Sequence, residues 1–491
     1  MPLALVRAST LFLAILCLLG FWVVGLEQPG HPHHHGLPTS TKPAQTPGRL
    51  SRLLPHVPRP EPPALPSFSF PIPFSDVDVS HANGGNVANH LFLVNDPEHT
   101  HPWTLRNEKA MQKLFSCLET LTCAQNQSKV ILLASYHFRG ALSGWDGGED
   151  LWARSTIMSL ESLGYTILYS TTPHLQRTVQ LYQTLPNLIS MVLLDVGDMM
   201  TCFNDASALC VKTNDNPDGI PAWKMFTFNW WEDSAHPLDG RWDLSPEAYP
   251  GSDHTYLGYS IEPSCAARKL IPHDARLANP QAYLMGKNGE YFSAEKRAWQ
   301  PHDIERGAGA LRDRAGSQPQ VHFVAGIRQD GLPVEFAGTS ASGTLKDLGH
   351  LHPHQFYEQL ANSVALVGMG SPRTSPTPYD SLCLGVAFIN PIQHWDRDYP
   401  TDRSRWVGQH ETLKFLDPPY VYNVFVGDTE GFVDAIRQAV EHPFESFIPE
   451  YMRFFAIEER LGRIINTDWR RLAEDLMEER IRTGEGKIFP L

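Results

Sequence analysis

Positive charge is scarce in this chain: 40 Lys and Arg stand against 54 Asp and Glu, a formal net charge of −14 over 491 residues. That balance excludes nucleic acid as a main partner, because neutralising a phosphate backbone needs a basic face. A small phosphorylated ligand needs only a local positive pocket. Long apolar runs are rare too. The one that stands out, Thr10 to Leu26, is uncharged and close to the lower limit of a membrane span. Arg7 precedes it and Glu27 follows it, which puts the N-terminus in the cytoplasm by the positive-inside rule. A cleaved signal peptide usually has a shorter apolar region, so the expectation is an uncleaved type II anchor over residues 8–26 behind a cytoplasmic tail of residues 1–7. Residues 27 to about 75 lack any helical or strand period and are rich in Pro, His, Ser and Thr, so they cannot bury enough surface to fold. They read as a stem running to about residue 100, with His31, His33, His34 and His35 as solvated members of it.

Cysteine is limited to seven residues. Cys17 lies in the apolar run, leaving Cys117, Cys123, Cys202, Cys210, Cys265 and Cys383, an even set that suits an oxidising compartment. Cys117 with Cys123 and Cys202 with Cys210 are near enough to pair locally, although spacing does not fix connectivity and free buried thiols are the alternative. The triplet Asn126-Gln127-Ser128 is a glycosylation acceptor pattern in keeping with a secretory lumen.

The rest of the chain is organised around Val364 to Pro391. An apolar run of strand character, Val364 to Val367, enters a glycine turn at Gly368 and Gly370. A Pro-rich loop follows, then a short helical segment, Tyr379 to Leu384, and a second apolar strand, Val386 to Ile389. Pro378 can occupy the first helical position, where its missing N–H costs nothing, and the free N–H groups beyond it favour an anion such as phosphate. Asp380, one turn inside, is placed to accept hydrogen bonds from sugar hydroxyls. Read on these residues alone, an ordinary α/β crossover with a glycine bend serves as well.

Several positions in order, Gly368, Gly370, Pro372, Pro376, Pro378, Asp380, Gly385, Ala387, Phe388, Asn390 and Pro391, resemble the donor-binding segment of the N-acetylglucosaminyltransferase V family, the α-1,6-mannosylglycoprotein 6-β-N-acetylglucosaminyltransferases. The resemblance runs with gaps from about Val130 to Asn466. It implies a GT-B fold, two Rossmann-like domains facing across a cleft. It further implies inverting, metal-independent transfer of GlcNAc from UDP-GlcNAc to the 6-hydroxyl of an α-linked mannose on N-glycans, in the Golgi lumen. Three stretches depart from the family pattern: Thr374 stands where the family has Glu, Asp239-Gly240-Arg241-Trp242 where it has Trp-Gly-Lys-Trp, and Gly408-Gln409-His410 where it has Gly-Lys-Pro. The first and third bear on the donor, the second on the acceptor.

Upstream, the chain alternates strand and helix. Val130 to Ser135 is a strand, a glycine-rich loop follows, and Ala153, Ile157 and Leu160 mark a helix closed by Gly164. Tyr165 to Tyr169, Leu175 to Leu185 and Leu188 to Asp195 continue as strand, helix and strand. A βαβαβ order implies a parallel sheet with ligands at the carboxyl ends of its strands. The loop Gly144 to Asp150 is therefore in the right place for chemistry. Transfer to an alcohol with inversion needs a carboxylate to take the hydroxyl proton; Glu149 and Asp150 both qualify by type, and both could instead cap the helix. The resemblance places the family's catalytic glutamate on Glu149. Asp195 and Asp198 are rival bases that could equally close turns. The aromatics between residues 217 and 262 could wall an acceptor sugar or pack a core; Trp242, with Trp145 from the glycine-rich loop, is the expected acceptor contact.

In the second half, Ala282 to Met285 and Val321 to Ala325 read as strands ending at Gly286-Lys287 and Gly326-Ile327-Arg328. Lys287 and Arg328 are the candidate cations to face a diphosphate leaving group, with Lys287 expected there and a solvated loop position the better alternative for Arg328. Metal ligation is not expected. His350, His352 and His354 lack a carboxylate partner, and Asp396-Arg397-Asp398 and Asp76-Val77-Asp78 sit at places that do not suit a nucleotide-bound metal. A helix from Pro449 carries Phe454, Ile457, Leu461 and Ile464 on one stripe and is suited to cross back to the first domain. The expected domains are residues 101–265 for the acceptor and 266–445 for the donor, with 446–491 as return helix and tail. Two alternatives remain: a GT-B transferase with another donor or acceptor, and a membrane-anchored glycan-binding protein without catalysis.

Overall fold

The computed structural model describes residues 102–144, 148–170, 175–231, 233, 236–311, 320–328, 333, 336 and 343–491. The expected anchor, stem, oligohistidine run and Asp76–Asp78 pattern lie outside the described residues, as does Trp145. No helix among the described residues is long and apolar enough to cross a membrane.

The first half opens with helix α1 (Pro102–Thr120), followed by β1 (Val130–Leu133), α2 (Tyr136–Leu142), α3 (Leu151–Ser162), β2 (Thr166–Tyr169), α4 (Leu175–Thr184), β3 (Ile189–Leu194), α5 (Val196–Asn204), β4 (Met225–Phe228), β5 (Asp243–Ser245) and β6 (Thr255–Tyr256). Its strands form one sheet in the order β2-β1-β3-β4-β5-β6, and every neighbouring pair is parallel. β1 is buried at all four positions, as continuous Val/Ile/Leu runs are when both faces of a parallel sheet are covered. The strands and helices anticipated between residues 130 and 195 are present within a residue or two. The difference is α2, which occupies the start of what reads as glycine-rich loop; Ser135 caps it by accepting from the N–H of His137.

Helices α6 (Glu262–Ala266) and α7 (His273–Leu277) lead into the second half. It comprises β7 (Gln281–Met285), α8 (Pro301–Ala308), β8 (His322–Ala325), β9 (Leu345–Asp347), α9 (Pro353–Ala361), β10 (Ser363–Gly368), α10 (Thr377–Cys383), β11 (Ala387–His394), β12 (Val407–Gly408), β13 (Val421–Phe425) and α11 (Thr429–Glu441). The parallel strands run β9-β8-β7-β10-β11-β13, with β12 antiparallel on β11. That is the doubly wound nucleotide-binding order, and its direction reverses between β7 and β10, where a ligand crevice forms beyond the strand ends. Two such Rossmann-like halves in one chain make the architecture a GT-B type α/β fold.

After α11 the chain returns. Helix α12 (Phe454–Asn466) buries Ile457, Leu461, Ile464 and Ile465 and packs on α3 of the first half, as the apolar stripe predicts. A further helix, α13 (Trp469–Thr483), sets Trp469 against Phe226 and Trp242 of the first half. The six described cysteines form three disulfides: Cys117–Cys123, Cys202–Cys210 and Cys265–Cys383. The third ties α6 to the last residue of α10.

Candidate functional site

In the second half the loop after β10 is built by backbone approach. Gly368 pairs with Met285 at the ends of β10 and β7, so the glycine turn and Lys287 leave the sheet side by side at the switch point. Gly370 has φ +94°, and a Cβ on it would lie 2.8 Å from the Lys296 carbonyl oxygen, so only glycine fits there. The Trp299 indole N–H holds the Gly368 carbonyl at 2.7 Å. Lys287 and Arg328 are both exposed, and the Arg328 N–H donates to the Lys287 carbonyl at 2.8 Å. The two candidate cations thus stand together at the carboxyl ends of β7 and β8.

The position that departs from the family pattern, Gln409, is fully buried under this loop. Its Oε1 accepts from the Gly370 N–H at 2.8 Å and its Nε2 donates to the Pro372 carbonyl at 3.0 Å, while the Thr374 N–H donates to the Gln409 backbone carbonyl at 3.0 Å. A neutral amide therefore braces the loop from inside. α10 begins at Thr377, one residue earlier than the sequence suggests, with Pro376 before it. Asp380 differs from the expectation of an open, sugar-facing carboxylate: it is only 6% exposed and accepts from the Tyr357 hydroxyl of α9 at 3.4 Å, because its turn of α10 faces inward.

The loop after β1 meets this one. A single 3-10 turn, Gly148–Asp150, precedes α3, and a Cβ on Gly148 would stand 3.3 Å from Pro376 Cγ. The backbone that carries Glu149 is thus in contact distance of the donor loop. Asp150, the second carboxylate of that turn, pairs with His137 of α2 at Asp150 Oδ1 to Nδ1, 2.6 Å. From the end of β4, the Trp230 indole N–H donates to the Thr374 carbonyl across the gap at 3.1 Å.

Behind these contacts lies a buried polar cluster. Glu247, 1% exposed, accepts from the Tyr379 hydroxyl at 3.0 and 3.1 Å and from the Thr412 hydroxyl at 2.6 Å. Burial pushes its carboxyl up to about 7, opposed by the hydrogen bonds from Thr412 and Tyr379 and by the Arg460 charge. Burial also lowers the neighbouring His410 imidazole to about 3. Tyr259 stacks beside Trp230 and meets Tyr379 edge-on. Glu247 and His137 carry no motif; the sequence signal for Glu247 is a charged residue in a segment dense in aromatics.

The remaining expected residues fall as follows. Trp242 is fully buried, donates to the Trp223 carbonyl at 3.1 Å and packs on Trp469. With no face left for a sugar it is a core residue, and the reason is α13, which covers it. Asp195 caps α5 through the Gly197 N–H at 2.9 Å; Asp198 in the next turn is half-buried, and burial followed by the Asp195 charge raises its carboxyl to about 6. Asp396 is taken up by Arg405 and the Asp398 N–H. His352 stacks on His354 and meets His350 edge-on, and no group of three metal-binding side chains occurs among the described residues.

No family model matches the chain. Among curated proteins, alpha-1,6-mannosylglycoprotein 6-beta-N-acetylglucosaminyltransferase B of Homo sapiens is 21% identical over 255 residues, 49% of this chain and 30% of that protein. The Mus musculus B protein is 20% identical over 240 residues, 46% and 28%, and the Cricetulus griseus A protein 22% over 226 residues, 43% and 27%. The matches cover less than a third of these relatives' own length. Among solved structures, Anabaena Alr3699/HepE in complex with UDP aligns over 72% of this chain and 99% of that one, at 10% identity and a TM-score of 0.38. A putative UDP-N-acetylglucosamine 2-epimerase from Listeria monocytogenes covers 70% and 98%, at 8% and 0.38. The chain's sequence similarity to N-acetylglucosaminyltransferases is thus distant and partial.

Proposed function

We propose that this chain is an inverting, metal-independent glycosyltransferase that moves GlcNAc from UDP-GlcNAc to the 6-hydroxyl of an α-linked mannose on N-glycans. The observation that carries the reading is the meeting of the two strand-end loops, Gly148 against Pro376 and Trp230 on Thr374, which brings the turn bearing Glu149 to the glycine loop at the β7/β10 switch point. In this mechanism Glu149 takes the proton of the acceptor hydroxyl as its oxygen attacks the anomeric carbon, and the bond to the diphosphate breaks. The charge left on UDP is met by Lys287 and Arg328 at the ends of β7 and β8. Three disulfides suit an oxidising lumen, and with the Thr10–Leu26 run they support a type II Golgi membrane protein.

One observation favours a second reading, a transferase of the same fold with another donor. Gln409 offers a neutral amide, already spent on Gly370 and Pro372, where the related family carries lysine. Incubation of the full chain with UDP-GlcNAc and other UDP-sugars, over a panel of N-glycans, separates the two by which pairing releases UDP and which hydroxyl gains mass. Failure of every UDP-sugar to react, with no heat on UDP titration, would refute both.

A further inference from the structure

The far edge of the first sheet carries a cavity that shares no residue with the strand-end loops. It has a volume of about 320 Å³ and lies between β6, the last strand in the order, and the adjoining parts of α12 and α13. Ile464 and Trp469 give it an apolar wall, and Arg460 and Arg463, one turn apart on α12, both line it. Arg460 is 9% exposed and held in place. Its Nε donates to the Leu257 carbonyl and its Nη2 to the Tyr451 carbonyl, both at 2.7 Å, and the guanidinium lies over the Tyr256 ring at 4.3 Å. Its third nitrogen, Nη1, has no hydrogen-bond partner among the described residues, and the exposed Arg463 guanidinium has none either.

Charge is unbalanced at this spot. The nearby Arg453, Arg470 and Arg471 each pair with a carboxylate, Glu262, Glu474 and Asp475 in turn, whereas Arg460 and Arg463 pair with none among the described residues. Glu459 and Glu247 act on Arg460 only from beyond ion-pair distance, while burial and then the Arg463 charge work against its charged form. The neutral donors are mostly spent. The Thr255 hydroxyl donates to the Arg241 carbonyl at 2.7 Å, the Thr467 hydroxyl to the Arg463 carbonyl at 2.9 Å, and the Trp469 indole N–H to the Ile464 carbonyl at 2.7 Å. Guanidinium N–H groups are what is left for a ligand, and they select oxyanions. Two cations without a counter-charge match a doubly charged anion, and a phosphate monoester carries about −1.5 to −2 at pH 7. The cavity has the volume of a small-molecule site rather than of a bare ion, and its apolar wall suits an organic body.

We propose that Arg460 and Arg463 form a binding site for a small organic phosphate monoester of sugar-phosphate size, with Arg460 as its fixed arm and Arg463 as its exposed one. The site goes beyond the transferase reading and does not rest on it. Thermal denaturation of the full chain is followed with mannose 6-phosphate, inorganic phosphate, glucuronate and mannose, against chloride of matched ionic strength. Mannose 6-phosphate is expected to raise the midpoint as a ligand of the native state does, inorganic phosphate and glucuronate to bind more weakly, and mannose to have no effect. Arg463→Ala, at an exposed side chain, is expected to weaken the apparent affinity about tenfold or more, and Arg463→Lys to recover part of it. Lys287→Ala, which removes a cation of the proposed donor site, is expected to leave it unchanged. The same monoester can stand free or on a glycan branch: an N-glycan bearing mannose 6-phosphate that binds tighter than the free sugar upholds the site with the branch as its source, and weaker binding upholds it with the free metabolite. Protection that survives Arg463→Ala and disappears in Lys287→Ala would put the anion in the cleft and overturn the site, as would no shift beyond chloride. Glucuronate or inorganic phosphate binding as tightly as mannose 6-phosphate would overturn the ligand class. Failure of every UDP-sugar to react would remove the transferase reading and leave this site standing.

Discussion

Replacing Glu247 with glutamine tests the packing of the two halves more directly than any change at the cleft. In the folded chain its carboxyl lies at about 7, against an ordinary value of 4.5, so the native state binds this proton more tightly than the unfolded chain does. As pH rises from about 4.5 the unfolded chain loses the proton first, and each further pH unit costs the native state about 1.4 kcal/mol until the folded carboxyl ionises near 7. The whole loss is roughly 3 kcal/mol, and above about 7 both states are charged and the slope ends. Glutamine retains a carbonyl oxygen for the Tyr379 and Thr412 hydroxyls and cannot ionise. Guanidinium denaturation of both proteins between pH 4.5 and 8 is therefore expected to give curves that cross. The glutamine form is equal or slightly weaker at the acid end and more stable by about 2–3 kcal/mol at pH 8. Other titrating groups, Asp198 and His236 included, cancel in the difference. Parallel curves, with a gap that does not depend on pH, would show that Glu247 stays ionised in the fold and would refute the reasoning.

Three more outcomes are expected. Glu149→Gln should leave the heat of UDP titration unchanged and lower transfer by about 100-fold or more; undiminished turnover would remove the base assignment. Cys265→Ser with Cys383→Ser opens a link between residues 118 positions apart, and loop entropy puts the loss near 4–5 kcal/mol, read as a lower denaturation midpoint under non-reducing conditions. Trp242→Ala empties a core site between Trp469 and His236 and should cost about 3–5 kcal/mol. In whatever fraction stays folded acceptor KM should be unmoved, where a sugar-stacking role would raise it.

Most of the fold was legible because parallel strands buried on both faces leave continuous apolar runs, as in Val130 to Leu133 and Val364 to Val367, and because glycine marks the ends of β7, β8 and β10. α2 was not, since Tyr136 to Leu142 is a short stretch of weak apolar period interrupted by Gly140, and it gains its helix from the Ser135 cap and the burial of Phe138 and Leu142. The glycine pair and the cations on the adjacent strands were legible, and they lie where the strand order of the second sheet reverses. The acceptor side was misread at Trp242 because its burial depends on α13, more than 200 residues later. The Tyr379–Glu247 bond spans 132 residues, and no local pattern in Ser-Pro-Glu-Ala-Tyr marks that glutamate as buried.

The return of α12 and α13 has a consequence for biogenesis. Phe226 and Trp242 both pack against Trp469, and α3 packs against α12. As the chain leaves the ribosome, the first sheet must wait with that flank open until the second has been made. A chaperone that shields aromatic surface in the interval would find its target on the half translated earlier, and truncation after β13 should release a product that aggregates through its older part.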